Sequence, residues 1–210
     1  MNTLNKALEE FALNPNDAAK CWNLAVLYDL EGQTASASTF FLKCAERSSR
    51  LSDQYYSLIR CALCYDKQGD RGHTVITLLK HAISVQPNRP EAFYLLARSY
   101  ERKKEYVDCY TWASIGKSLP QGDDNPSIQY VNYGCLFEMA VSAWHWGKGK
   151  EARMLFQELM DLKLDEAHYK AVEWNVKWLG AGPNTDKDYS QAGQDFFVLE
   201  AFNNKRNGIA

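Results

Sequence analysis

The sequence predicts an all-α protein built as a stack of antiparallel helix pairs. Four segments of the 210-residue chain repeat the same order of small, aromatic and glycine positions. These positions recur at intervals of 37, 35 and 43 residues, which is typical of repeat architectures. A single helix pair cannot bury its apolar face alone, so we expect the four pairs to fold as one unit.

The first helix of each pair is defined by an alanine and by the residue three positions later. A small residue lets the two helices of a pair approach closely, and a tyrosine one turn later fills space on the same helical face. The aligned alanines of segments 21–46, 58–88, 93–120 and 136–160 are Ala25, Ala62, Ala97 and Ala140. The residues three positions later are Tyr28, Tyr65, Tyr100 and Ala143.

A turn and a second helix follow in every segment. Gly32, Gly69 and Gly147 stand seven residues after the aligned alanine, where Lys104 breaks the series. Glycine ends a helix there because it adopts a left-handed conformation at low cost. His73 marks one extra residue in the second turn. Each second helix then carries a small residue followed four positions later by another apolar residue, which is larger in three of the four helices. These expected core pairs are Ala37 and Phe41, Val75 and Leu79, Cys109 and Ala113, and Ala152 and Phe156.

Both ends of the stack are predicted to carry capping helices. Residues 3–13 have the pattern of the second helix of an incomplete pair, and residues 165–179 form a further helix. Terminal units of this kind cover apolar faces that would otherwise be exposed. The polar stretch 120–127 connects the last two pairs. We therefore predict three regions, namely a helical repeat domain over 1–179, a linker over 180–188 and an apolar tail over 189–210.

The repeat resembles the tetratricopeptide repeat, whose units of about 34 residues share this order of small, aromatic and glycine positions. The likeness covers roughly residues 15–160. It implies a right-handed superhelical α-solenoid in which the first helices line a concave groove. The chain departs from the family in its longer connections and in the alanine that replaces the second glycine.

The same resemblance implies which residues line the groove. They occupy the positions three residues before and one, four and five residues after each aligned alanine. The predicted partner-binding residues are Trp22, Val26, Ile59, Leu63, Tyr94, Arg98, Phe137, Val141, Trp144 and His145. The remaining inward positions hold Asp29, Leu30, Asp66, Lys67, Glu101 and Arg102. Aromatic residues and arginine dominate interface energies, so this set favours a partner with apolar or aromatic side chains.

Chaperone-binding members of the family grip a C-terminal carboxylate with lysine and asparagine at those positions. Trp22 and Val26 occupy the first two of these positions, which argues against that activity. The alternative for any single groove residue is that it packs against a neighbouring helix.

Composition excludes several classes of partner. The net charge is -2, from 24 basic and 26 acidic residues, so we expect neither nucleic acid nor an anionic membrane surface as a partner. The N-terminus lacks the pattern of a secretory signal, and no window approaches the about 18 apolar residues of a membrane span. The six cysteines fall within predicted helices. We expect buried free thiols, and hence a reducing, cytoplasmic location.

Nothing in the sequence predicts catalysis, and we expect no cofactor and no metal. The four histidines have no spacing suited to a shared metal, and the Cys61–Cys64 spacing lies within one helix. His81 is expected to lie in the core on an apolar helix face. No nucleophile elbow or phosphate-binding glycine loop is present. Lys148 and Lys150 lie in a helix-pair turn, which we interpret as solvated.

Two shorter likenesses concern larger enzymes. Residues 89–124 and 130–152 resemble the helical module that accompanies some sugar-transferring enzymes, with an Arg-Pro-Glu opening at Arg89. Residues 189–208 resemble the entry to FkbM-type methyltransferase domains. The matching positions are Ser190, Gln191, Gly193, Gln194, Asp195, Lys205 and Gly208. This likeness implies that the tail is the truncated start of such a domain.

Three functions remain open on the sequence. The first is a non-catalytic protein–protein interaction module or scaffold, which binds a partner protein or peptide in its groove. The second is the helical accessory part of a glycan-modifying glycosyltransferase or methyltransferase, with its catalytic domain absent here. The third is a structural component of a larger assembly, in which the ends of the stack make the contacts.

Overall fold

The structure is a computed structural model that describes residues 3–119 and 131–181, with side chains of the second range described over 133–177. Within these ranges the chain forms ten α-helices and no strand. They are α1 (Thr3–Leu13), α2 (Ala18–Leu30), α3 (Thr34–Arg47), α4 (Leu51–Gln68), α5 (Gly72–Val85), α6 (Glu91–Arg102), α7 (Tyr106–Ser118), α8 (Val131–His145), α9 (Gly149–Met160) and α10 (Glu166–Ala181).

Each helix packs against the next one in the chain. The four predicted pairs are α2 with α3, α4 with α5, α6 with α7, and α8 with α9, and α1 and α10 pack at the two ends. The first helices α6 and α8 also contact each other directly. The all-helical class and the packing of consecutive helices are thereby confirmed.

The aligned alanines hold the pairs together as predicted. Ala25, Ala62, Ala97 and Ala140 are all buried, with at most 1% of their surface exposed. The expected core pairs of the second helices are buried too. In α3, α5 and α9 the second member of the pair is the larger side chain, whereas α7 buries two small residues, Cys109 and Ala113.

The turns within the pairs share one hydrogen-bonding pattern. Gly32 and Gly147 have φ angles of 75° and 79°, and Lys104 adopts the same conformation with φ 60°. The backbone N–H after each of these residues donates to a carbonyl five residues earlier, for example Glu105 to Tyr100 at 3.0 Å and Lys148 to Ala143 at 2.8 Å. This is the Schellman arrangement, which satisfies carbonyls at the end of a helix. A lysine thus occupies a position where the chain elsewhere uses glycine.

The second pair differs from this pattern by one residue. Helix α4 continues to Gln68, and both Gly69 and Asp70 have positive φ angles before α5 begins at Gly72. The extra residue predicted at this turn is therefore present.

The two end helices dock less deeply than the others. Helix α1 buries no residue completely and packs Phe11 edge-on against Phe40, with ring centroids 5.2 Å apart. Helix α10 inserts Val172, which is 0% exposed. Its end at Ala181 lies two residues inside the predicted linker, and the stretch 120–127 and the tail 189–210 lie outside the described residues.

One histidine prediction is wrong. His81 is exposed on α5, because the buried stripe of that helix runs through Val75, Leu79 and Ala82.

The predicted burial of the cysteines is confirmed, since all six thiols are free and buried. Burial raises the pKa of the Cys61, Cys109 and Cys135 thiols to about 12, so they are poor nucleophiles at neutral pH.

Candidate partner-binding surface

The first helices α2, α4, α6 and α8 carry the predicted groove residues, and we call the surface that they form the first-helix face. An ion pair joins each of these helices to the next, and α6 and α8 also contact each other directly. Of the ten predicted groove residues, nine are half-buried or exposed. The half-buried ones are Trp22, Val26, Leu63, Tyr94, Phe137, Val141 and Trp144, and the exposed ones are Arg98 and His145. Ile59 is 1% exposed and belongs to the core.

Two clefts flank Trp22 on the first-helix face. The cleft between α1 and α2 has a volume of about 370 Å³ and is lined by Trp22 and Val26 together with Lys6 and Glu10 of α1. The cleft between α2 and α4 has a volume of about 280 Å³ and is lined by Trp22, Asn23, Asp53 and Tyr56, among others. Trp22 thus separates two cavities large enough for side chains of a partner.

A smaller cleft of about 30 Å³ lies between α4 and α6. Leu63 and Leu95 are among its apolar lining, and Arg98, Arg102 and Asp66 supply its charge. The structure therefore brings two predicted groove residues, Leu63 and Arg98, into one cavity.

A ladder of ion pairs crosses the first-helix face from helix to helix. Asp29 of α2 accepts hydrogen bonds from Arg60 at 2.6 Å and from Lys67 at 2.7 Å. Asp66 of α4 accepts two hydrogen bonds from Arg102 of α6, at 2.8 and 2.9 Å. The two steps share one spacing. The acidic residue lies four positions after the aligned alanine of its repeat, and its basic partner lies five positions after the aligned alanine of the following repeat. These charges are consequently used within the chain and fix the spacing of neighbouring first helices.

The step between α6 and α8 depends on a buried carboxyl. Glu138 is 8% exposed and lies 3.9 Å from the Arg98 guanidinium. Burial raises the pKa of Glu138 to about 7; the charge of Glu101 adds to this, and that of Arg98 opposes it. Arg98 also lies over the Tyr94 ring, 5.7 Å from its centroid. Tyr94 and Arg98, both predicted groove residues, are thereby held in place.

Gly134 of α8 and Gly116 of α7 allow α8 to pack closely against α6 and α7. A Cβ atom at Gly134 would lie 2.2 Å from Cε2 of Tyr94, and one at Gly116 would lie 2.8 Å from Sγ of Cys135. Real carbon contacts do not reach such distances, so any side chain at Gly134 must displace the Tyr94 ring. The close contact of α6 and α8 thus sets the position of an aromatic residue on the first-helix face.

The Arg-Pro-Glu sequence at 89–91 forms a buried polar cluster at the start of α6. Glu91 is 0% exposed and accepts hydrogen bonds from Arg89 at 2.7 Å and from the Tyr55 hydroxyl at 3.1 Å. Arg89 also donates to the Tyr56 hydroxyl and stacks over that ring. A buried charge is tolerated when it is paired and hydrogen-bonded. This motif therefore joins α4 to α6.

Sequence reasoning missed four contributors to this face, Arg60, Asp53, Tyr56 and Glu138. They lie before the aligned alanine, outside the positions that the repeat resemblance assigns to the groove. The ladder of ion pairs could have been predicted from the sequence, because successive repeats carry opposite charges at matching positions. These charges belong to Asp29 and Lys67, and to Asp66 and Arg102.

The first-helix face combines aromatic and aliphatic side chains with paired charges. In the part of the chain that the structure describes, no three His, Cys, Asp or Glu side chains are grouped so as to hold a metal ion. None of the described helices is both long and apolar enough to cross a membrane. Aromatic rings and arginine are enriched in the cores of known protein–protein interfaces.

Comparison with known proteins adds no family assignment. No protein-family model matches the chain, and no curated protein matches it.

Proposed function

We propose that this chain is a non-catalytic protein–protein interaction module. In this proposal the helix pairs form a tetratricopeptide-like, right-handed superhelical stack, and the first-helix face is its concave groove. A partner segment or domain binds there. The observation that carries the proposal is the row of half-buried aromatic and aliphatic side chains on successive first helices, from Trp22 to Trp144, with clefts between them.

Partial exposure is the property that favours binding over packing. A residue such as Trp144 contacts the core and still keeps surface for a partner. Its position is already fixed, so little rotamer entropy is lost when a partner binds. The ion-pair ladder links successive first helices beside these apolar residues, and interfaces commonly combine apolar and charged groups in this way.

Buried free thiols support a reducing compartment, and we propose a cytoplasmic location. A thiol in an oxidising compartment is more often paired in a disulfide.

A second candidate function is a structural component of a larger assembly. It is favoured by exposed apolar side chains near the C-terminal end of the stack, where Met154 is 73% and Trp174 is 60% exposed. Exposed apolar surface of this kind is typical of contact sites. In this second candidate, contacts between stack ends replace the groove.

Substitution on two surfaces distinguishes these candidates. A tagged chain is used to recover partners from the native host, beside a variant with Trp22→Ala and Trp144→Ala. A matched control carries Leu42→Ala and Ile115→Ala, which are exposed positions on the second helices α3 and α7. We expect the wild type and the control to retain the same partner and the groove variant to lose it. Retention by a folded groove variant would contradict the groove and favour the stack ends.

A further inference from the structure

The carboxylates of the first-helix face differ in how fully they are paired. Asp29 and Asp66 accept short hydrogen bonds from cations of neighbouring helices, at 2.6 to 2.9 Å. Asp53 accepts from two serine hydroxyls, Ser48 at 3.2 Å and Ser52 at 3.3 Å. Its cationic neighbour, Arg50, lies at 3.7 Å and has a side chain that is 77% exposed.

Asp53 therefore keeps acceptor capacity toward its cleft. A carboxylate offers about four acceptor sites, and the two hydroxyls use two of them. A loose pair with an exposed arginine contributes little and is readily exchanged for another cation. The side chain of Asp53 is 39% exposed, so it is accessible to a ligand.

The remaining lining of that cleft is aromatic and neutral. It consists of Ala18, Ala19, Trp22, Asn23, Cys44 and Tyr56. The two alanines leave the space open, and Trp22 is fixed by an edge-on contact with Phe41, with ring centroids 5.2 Å apart. Aromatic rings beside a carboxylate attract a cation through the ring quadrupole and the charge together.

We propose that the cleft between α2 and α4 binds a lysine or arginine side chain of the partner segment. The aliphatic stem of that side chain lies along Trp22, and its charged end meets the Asp53 carboxylate. The cleft volume of about 280 Å³ accommodates such a side chain. This inference rests on the proposed function, because it assigns one subsite of the same surface.

The structure already contains an instance of this contact within the chain. The Arg89 guanidinium lies 4.9 Å from the Tyr56 ring centroid while pairing with Glu91 at 2.7 Å. That cation–aromatic–carboxylate arrangement lies at the same ring that lines the cleft. A partner cation beside Trp22 and Asp53 would repeat the arrangement.

Selection from a random dodecapeptide library on the immobilised full chain tests the inference. We expect enriched peptides to share a lysine or arginine next to an apolar residue. Replacement of that lysine by norleucine, or of that arginine by citrulline, should weaken binding by about tenfold. Asp53→Asn should cause a similar loss and abolish the preference for a basic residue, whereas the control Asp108→Asn on α7 should leave both unchanged.

The outcomes separate this inference from the proposed function. Enriched peptides without a basic residue, or a basic preference that survives Asp53→Asn, would overturn the subsite and leave the groove standing. Peptides whose binding is unaffected by Trp22→Leu and Trp144→Ala would overturn both. Circular dichroism verifies that Asp53→Asn is folded, and the norleucine and citrulline peptides test the same contact on the unaltered protein.

Discussion

Arg102 of α6 and Asp66 of α4 form a two-pronged ion pair across the boundary between the second and third helix pairs. Nη1 and Nη2 of the arginine donate to the two carboxylate oxygens at 2.9 and 2.8 Å. Two parallel hydrogen bonds fix the relative orientation of the two side chains as well as their distance. Because the backbones of α4 and α6 are bridged here by side chains, this pair controls the width of the cleft that contains Leu63 and Arg98.

Breaking this pair should lower stability by a small amount. The arginine and aspartate side chains are 47% and 34% exposed, so solvent screens their attraction. We expect a coupling energy of about 0.5–1 kcal/mol in a double-mutant cycle of Asp66→Asn and Arg102→Gln, measured by urea unfolding. The coupling should decrease in 1 M salt. A coupling of zero at low salt would show that the pair does not hold the helices.

Replacing Lys104 by glycine should stabilise the protein. Lys104 has a φ of 60° in a turn where equivalent positions are Gly32 and Gly147. A non-glycine residue pays about 1 kcal/mol in this conformation. We therefore expect Lys104→Gly to raise the free energy of unfolding by up to about 1 kcal/mol. Glycine also increases the conformational entropy of the unfolded chain, and this effect reduces the gain. The reciprocal change Gly147→Lys should destabilise by a similar amount, and a stabilising Gly147→Lys would contradict the account of the turns.

A methyl group at Gly134 should weaken the junction of α6 and α8. The added Cβ would lie 2.2 Å from the Tyr94 ring. Overpacking of this kind costs about 1–3 kcal/mol, which exceeds the gain in helix propensity of about 1 kcal/mol. Gly72→Ala is the matched control, because no atom lies within 4 Å of its Cβ. Thermal unfolding should show a lower Tm for Gly134→Ala only, and equal Tm values would refute the close approach.

The stability of the protein should depend on the ionisation of Glu138. Burial chiefly raises its pKa from 4.5 to about 7, so the folded state holds a proton that the unfolded chain releases between these values. The contribution of Glu138 to stability is therefore greatest below pH 4.5 and falls as the pH rises to 7. With about 1.4 kcal/mol per pKa unit, the total change is about 3 kcal/mol.

Glu138→Gln measures this contribution directly. Relative to the wild type, the variant should gain about 3 kcal/mol in free energy of unfolding between pH 4.5 and pH 8. Urea unfolding at several pH values gives the difference, and Glu158→Gln on the exposed surface of α9 is the control. A difference that is independent of pH would show that Glu138 titrates normally.

Local features of the fold could be predicted from the sequence, whereas contacts between pairs could not. The aligned alanines, the turn glycines and the capping helices depend on residues close together in the chain, and they are present as predicted. The burial of Ile59 and the pairing of Glu138 with Arg98 depend on how far one pair is rotated against the next. Spacing along the chain does not encode that rotation, so a position expected on the surface lies in the core.

The most direct test of the binding surface is site-specific photo-crosslinking. A photoreactive amino acid is placed at Val26 or Val141 on the first-helix face, and at Leu42 or Met154 elsewhere, in the full chain within its native host. The account predicts that one partner crosslinks from Val26 and Val141 and from neither of the other two positions. Crosslinks from Leu42 or Met154 alone would contradict it.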